Sequence, residues 1–241
     1  MVGAYYHENI RVSRADLGKE PNEVSAMFDG VARRYDLLND LLSLGRTKAW
    51  RKVATKIIAP KPGMRILDIA AGTGSSSRPL ADAGADVIPL DFSKGMLEAG
   101  RKRHPDLPFM QGDALALAFK ENEFDVATIS FGLRNTSDAS KALQESFRVL
   151  KSGGLMVVVE FSQPTNRILR TIYLRYLVRA LPAVARKVSS NPDAYIYLAE
   201  SILAWPNQSG LADLMRAAGF GNVQWKNLTF GIVAIHTGVK P

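Results

Sequence analysis

Cysteine is absent from the 241-residue chain. That excludes disulfides, thiolate metal ligands and any mechanism with a cysteine nucleophile. Histidine is scarce: His7, His104 and His236 are scattered at no metal-ligand spacing, so no metal is expected. Long uncharged apolar runs are missing as well. The most apolar long stretch, 168–184, is interrupted by Arg170, Arg175 and Arg179, each costly at a bilayer centre. His7, Glu8, Arg11 and Arg14 break up any signal-peptide core in the first residues, which makes a cytoplasmic protein the expectation. Acids are in the minority, 23 against 31 Lys and Arg, for a net charge of +8. The excess suits an anionic partner such as nucleic acid or a lipid surface, and it equally suits plain solubility.

What is present is ordinary for a globular chain, with 46% hydrophobic and 22% charged residues. The reading is a polar tail over 1–20 and one domain over 21–241. That domain is organised around Arg65-Ile66-Leu67-Asp68-Ile69-Ala70-Ala71-Gly72-Thr73-Gly74, a short apolar run opening into a glycine-permissive turn. Gly72 and Gly74 let the backbone approach a ligand, and a helix beginning near Ser75 to Ser77 aims free N–H groups at it. A turn that needs glycine for packing alone is the plainer alternative. The next strand, 85–90, ends in Asp91, about 20 residues after Asp68, where an acid meets ribose hydroxyls in nucleotide-binding folds. Ser77 stands where a third glycine would support a pyrophosphate, so a nucleoside without phosphates fits better than a dinucleotide. S-adenosyl-L-methionine is the common cofactor of that kind.

Along the chain, Val24, Phe28, Val31 and Tyr35 recur at helical spacing, and Trp50, Val53, Ala54, Ile57 and Ile58 mark a second helix ended by Pro60 to Gly63. The segment between them, 35–45, is a connecting loop or a lid. Ser93 caps the next helix. Strands are expected over 108–114, ending near Asp113, over 124–130 and, after Gly153-Gly154, over 155–161. Ser137 and Ser209 are the expected caps of two later helices. The stretch 164–206 reads as a helical insertion, and 223–225 with 232–235 as two strands too close for a crossover, hence antiparallel.

Tyr35-Asp36-Leu37-Leu38-Asn39 through Ser43, Gly45 and Trp50 resembles a signature of the ubiquinone/menaquinone biosynthesis C-methyltransferases. Arg148-Val149-Leu150-Lys151-Ser152-Gly153-Gly154 with Glu160-Phe161-Ser162 resembles the family's other signature, and Ile129-Ser130-Phe131-Gly132-Leu133-Arg134-Asn135 its fourth-strand motif. The resemblance runs from about Val24 to Lys240. The chain departs from the first signature at Leu38, where methionine is usual, and at Thr47 and Lys48, where histidine and arginine are usual, so a histidine base is lacking there.

The resemblance implies an α/β, Rossmann-like class I methyltransferase fold, with a seven-stranded, mostly parallel sheet and an antiparallel last strand. It implies methyl transfer from S-adenosyl-L-methionine, leaving S-adenosyl-L-homocysteine, to a ring carbon of a polyprenyl quinol, a naphthoquinol first and a benzoquinol as the alternative. It places the cofactor against Thr73, Asp91, Asp113, Ala114 and Ser130; Asp68, Gly72 and Gly74 come from the residues alone. Carbon methylation requires an ionised quinol hydroxyl, for which Arg134 and Asn135 are the candidate partners. Tyr35 and Asp36 are candidates for proton removal, and all four have plain structural alternatives. Nucleic acid is disfavoured as acceptor, since 130–133 lacks the acidic proline-rich motif of base-amine methylation and there is no cysteine for cytosine carbon. Peripheral contact with the inner face of the cell membrane, through the insertion and its arginines, is expected because a prenyl tail is insoluble; a homodimer is left open.

Overall fold

A computed structural model of the chain describes residues 45–180 and 192–241. The tail, the first expected helix and most of the 35–45 segment, with Tyr35 and Asp36, lie outside the described residues. The second expected helix is α1, Thr47–Ile58. Thr47, Trp50, Ala54 and Ile58 are its buried face, and Ala59 ends it in the left-handed conformation (φ 47°) before the prolines.

Strands β1 (Arg65–Ile69), β2 (Asp86–Asp91), β3 (Met110–Gln111), β4 (Phe124–Ser130) and β5 (Leu150–Phe161) run parallel. Between them lie α2 (Ser77–Asp82), α3 (Lys94–Arg103) and α4 (Ala139–Val149). The rest of the chain supplies α5 (Arg167–Arg175), α6 (Pro192–Ala204), α7 (Gln208–Ala217), β6 (Gly221–Leu228) and β7 (Val233–Val239). The sheet order is β3-β2-β1-β4-β5-β7-β6, with β7 antiparallel to both neighbours as the short connection requires. Consecutive residues of the central strands feed opposite faces. Ile66, Val87, Val126 and Val157 pack with α1 and α2, whereas Leu67, Ile69, Ala127 and Met156 pack with α4 and α7. Each fully buried Val, Leu, Ile or Met side chain among these contributes about 1.5–3 kcal/mol.

Several boundaries differ from the sequence reading. The strand expected over 108–114 is two residues long, because Asp113 turns the chain by accepting the Leu115 N–H at 2.8 Å. β5 begins at Leu150, before Gly153, and its register against β4 shifts between Phe124 and Val126. Asp138, not Ser137, caps α4, and Asn207, not Ser209, caps α7, each accepting a backbone N–H three residues on. Strand order reverses between β1 and β4, and the crevice beyond their C-terminal ends is the position such folds use for ligands.

Candidate functional site

The turn after β1 is held by the tip of β2. Ala71 N–H donates to the Leu90 carbonyl at 3.0 Å, and Gly72 N–H donates to Asp91 Oδ2 at 2.7 Å. The other Asp91 oxygen accepts the Ser93 N–H at 2.8 Å, while the Ser93 side chain caps α3. Ala70, Gly72 and Gly74 have φ of 55°, 57° and 78°. A left-handed alanine costs on the order of 1–2 kcal/mol, strain of a kind found at ligand sites. A Cβ on Gly74 would also stand 2.6 Å from the Phe109 ring, so that glycine is required twice over.

Asp68 lies beneath this turn and is fully buried. Its Oδ2 accepts the hydroxyls of Ser76 at 2.7 Å and Ser77 at 2.6 Å, and its Oδ1 has no partner among the described residues. Burial pushes its pKa up to about 6, partly offset by those hydroxyls, with repulsion from Asp91 adding to the rise. Asp68 thus binds two hydroxyls and leaves one oxygen for a donor. An orphaned buried carboxylate oxygen beside a nucleoside crevice fits the ammonium end of S-adenosyl-L-methionine. Thr73 is buried, with its hydroxyl 3.2 Å from that of Ser75 and 3.4 Å from Arg103 Nη1. Asp113 and Ala114 form the turn after β3, and Ser130 ends β4. Asp68, Gly72, Thr73, Gly74, Asp91, Asp113, Ala114 and Ser130 therefore all stand on the C-terminal side of the sheet.

Beside the crevice is a cavity of about 430 Å³. Trp50, Phe131, Phe161, Leu169, Ile172 and Tyr173 contribute to its walls. Trp50, Phe131 and Phe161 pack with ring centroids 5.1–6.4 Å apart, and Trp50 is fixed by an indole N–H donated to Thr229 Oγ1 at 2.9 Å. Phe131 has a φ of 59°, and a Cβ on the following Gly132 would lie 2.4 Å from that of Ala70. This backbone contact joins the cavity to the glycine turn.

Arg134 lines the cavity, but its charge is already engaged. Its Nη1 donates to Glu160 Oε1 at 2.8 Å and to the Phe131 carbonyl at 2.7 Å, with both side chains of the ion pair buried. Its guanidinium lies 5.0 Å from the Phe161 ring centre, and its Nε has no partner among the described residues. Asn135 donates to the Phe131 carbonyl at 3.3 Å and accepts the Tyr197 hydroxyl at 3.3 Å, so its amide holds the turn. Arg134 and Asn135, read from sequence as partners of the acceptor oxygen or as plain structural residues, are thus a paired arginine and a bonded asparagine. Sequence reasoning missed Glu160 as a partner, although an acid at the tip of β5 repeats the pattern of Asp91 at the tip of β2. It also missed Tyr173, a cavity residue whose hydroxyl is pushed above the usual phenol range by burial. Among the described residues no cluster of acids and histidines could hold a metal.

The model of the ubiE/COQ5 methyltransferase family matches residues 16–240. The chain is 58% identical over 229 residues to a demethylmenaquinone methyltransferase of Streptomyces avermitilis, covering 95% of this chain and 99% of that one. Among solved structures, a SAM-dependent methyltransferase from Thermotoga maritima, described as a possible histamine N-methyltransferase, superposes with a TM-score of 0.64 at 23% identity. It covers 90% of this chain and 100% of its own. Haemonchus contortus phosphoethanolamine N-methyltransferase 2, solved with S-adenosyl-L-methionine, gives 0.61 at 16% identity over 82% of this chain and 53% of its own. These two likenesses show the class I methyltransferase fold. With the family model spanning nearly the whole chain, the protein belongs to the ubiE/COQ5 methyltransferase family.

Proposed function

We propose that the protein transfers a methyl group from S-adenosyl-L-methionine to a ring carbon of a polyprenyl naphthoquinol, converting demethylmenaquinol to menaquinol. The observation that carries this reading is the aromatic-walled cavity joined to the glycine turn through the Gly132–Ala70 contact. A flat apolar ring of naphthoquinol size suits walls of Trp50, Phe131 and Phe161. The high identity to demethylmenaquinone methyltransferases over nearly the full length of both chains supports the same acceptor.

The cofactor supplies an electrophilic methyl group when bound. Asp91, the 72–74 turn, Asp113, Ala114 and Ser130 would hold its nucleoside, and Asp68 its ammonium. The chain's remaining task is to present an ionised quinol beside that site with water excluded. Trp50, Phe131 and Phe161 exclude water. The half-buried Tyr173 stays protonated and can donate to the ionised oxygen, and Arg134, with Glu160 fixing its position, supplies cationic potential at the cavity wall. Asn135 acts through the turn it holds. Tyr35 and Asp36 remain the candidates to take the hydroxyl proton.

The test is incubation with methyl-labelled S-adenosyl-L-methionine and demethylmenaquinol, oxidised demethylmenaquinone or tRNA. Label should enter the reduced lipid alone. Label in tRNA, or none in the quinol, rejects the reading.

A further inference from the structure

We propose that the basic cleft along α1 binds the phosphate headgroups of an anionic lipid bilayer and holds the mouth of the aromatic cavity against that surface. The inference rests on the quinol reading for its purpose, and on the residues of α1 and α5 for its substance.

Helix α1 carries Lys48, Arg51, Lys52 and Lys56 and no acid. Lys48, Lys52 and Lys56 recur every four residues, so they form one stripe, and all three are exposed. None has an ion-pair partner among the described residues, and like charges at this spacing oppose the helix that bears them. The stripe faces an open cleft of about 860 Å³ that Arg78 and Arg103 also line, and among the described residues no carboxylate lines it. Arg78 is already paired with Asp82 and Asp106, which leaves the lysine stripe as the uncompensated charge.

Arg51 lines both this cleft and the aromatic cavity, so the two open on either side of one helix. Near the cavity, apolar side chains stand in solvent: Ile168 is 72% exposed, Ile172 60% and Phe230 73%. α5 buries none of its residues, although it carries Ile168, Leu169 and Ile172. Phe230 sits at the β6–β7 tip with a φ of 58°, next to Thr229 at 48°, a backbone state that bulky residues rarely adopt. Solvent-exposed aliphatic and aromatic side chains at a cavity that shares Arg51 with a cluster of cations match the boundary between acyl chains and anionic headgroups. A nucleic acid would satisfy the cations only, and among the described residues that line the cleft there is no Trp, Tyr or Phe on which bases could stack. Arg170 and Arg175, exposed on α5, add to the same surface; the α1 stripe is what the sequence reading did not find.

The test is co-sedimentation of the full chain with phosphatidylcholine vesicles, with and without phosphatidylglycerol. Binding should require phosphatidylglycerol and weaken with salt. The Lys48→Gln/Lys52→Gln/Lys56→Gln variant should lose about a hundredfold in partitioning, about fivefold per lysine, with a melting temperature no lower than the parent's. A Lys61→Gln/Lys120→Gln/Lys226→Gln variant, matched in charge, should bind like the parent. The stripe variant should also keep its activity on a short-chain quinol in solution and lose it on vesicle-embedded quinol. Stripe-dependent vesicle binding without any quinol methylation would leave this inference standing and remove the functional reading. Equal vesicle binding by parent and stripe variant, saturable inorganic pyrophosphate binding without vesicle binding, or preference for tRNA over vesicles would overturn it.

Discussion

Arg134 Nη1 donates to Glu160 Oε1 at 2.8 Å in a pair with almost no solvent exposure, at the wall of the aromatic cavity. Glu160 also accepts the backbone N–H of Phe161 at 2.8 Å and that of Arg134 at 3.3 Å. The carboxylate therefore ties the tip of β5 to the turn after β4, and the arginine at the cavity wall is fixed through it.

Removing either partner strands a buried charge. Arg134→Ala should cost about 3–5 kcal/mol of stability, and Arg134→Ala/Glu160→Ala less than the sum of the single losses. Denaturant unfolding of the four proteins measures the coupling. Additive losses would mean that the pair does not act as a unit. In whatever Arg134→Lys protein folds, turnover should fall while S-adenosyl-L-methionine affinity, read by calorimetry, stays near the parent value; parallel loss of both would place Arg134 in the cofactor site.

Asp91 has two backbone partners besides any ligand. Asp91→Ala should weaken cofactor binding by roughly 1.5–3 kcal/mol and also lower the melting temperature, because the Gly72 and Ser93 N–H groups lose their acceptor. Asp91→Asn keeps one acceptor oxygen for these two N–H groups and turns its NH2 toward the other, so it should recover part of the stability but not the affinity. Unchanged affinity in a folded Asp91→Ala protein contradicts the assignment.

For Asp68 the sign follows from a folded pKa of about 6 against an ordinary 3.8. The native state holds this proton longer than the unfolded chain, so the ligand-free protein pays nothing below about pH 4. It loses stability as pH rises to 6 and carries a penalty of roughly 3 kcal/mol above that. Asp68→Asn should flatten this part of the stability–pH curve, measured by unfolding from pH 4 to 8. Cofactor affinity should fall as pH drops through 6 in the parent and not in Asp68→Asn, since only the ionised carboxylate attracts an ammonium. Identical pH slopes in the two proteins would remove Asp68 from the cofactor site.

Gly132→Ala would drive a methyl group to 2.4 Å from the Ala70 side chain. The glycine turn and the cavity wall must then part, and both the melting temperature and cofactor affinity should fall. A fully active, fully stable Gly132→Ala protein would show that their close approach is dispensable.

The sheet was legible because its central strands are apolar runs that end in glycine, aspartate or serine, as Ile66 to Gly72 and Val126 to Ser130 do. Caps were legible only to within a residue or two, since Thr136, Ser137 and Asp138 offer three capping side chains in succession and only the backbone decides among them. The acids at strand tips could be read as a set, but the fate of each oxygen could not. Nothing local says that Asp68 meets two serine hydroxyls or that Glu160 claims Arg134. The cavity was illegible for a different reason. Its walls come from α1, the tips of β4 and β5, α5, α6 and the β6–β7 tip, and the hydrogen bond from Trp50 to Thr229 spans 179 positions.

The central claim is that the acceptor ring occupies the cavity walled by Trp50. The chain has three tryptophans, Trp50, Trp205 and Trp225, so a Trp205→Phe/Trp225→Phe protein reports from Trp50 alone. Titration with a short-chain demethylmenaquinone, whose quinone ring quenches indole fluorescence on contact, should quench Trp50 saturably. A protein keeping only Trp225, which lies on β6 away from the cavity lining, should show no saturable quenching. Saturable quenching of Trp225 with none of Trp50 would contradict the account.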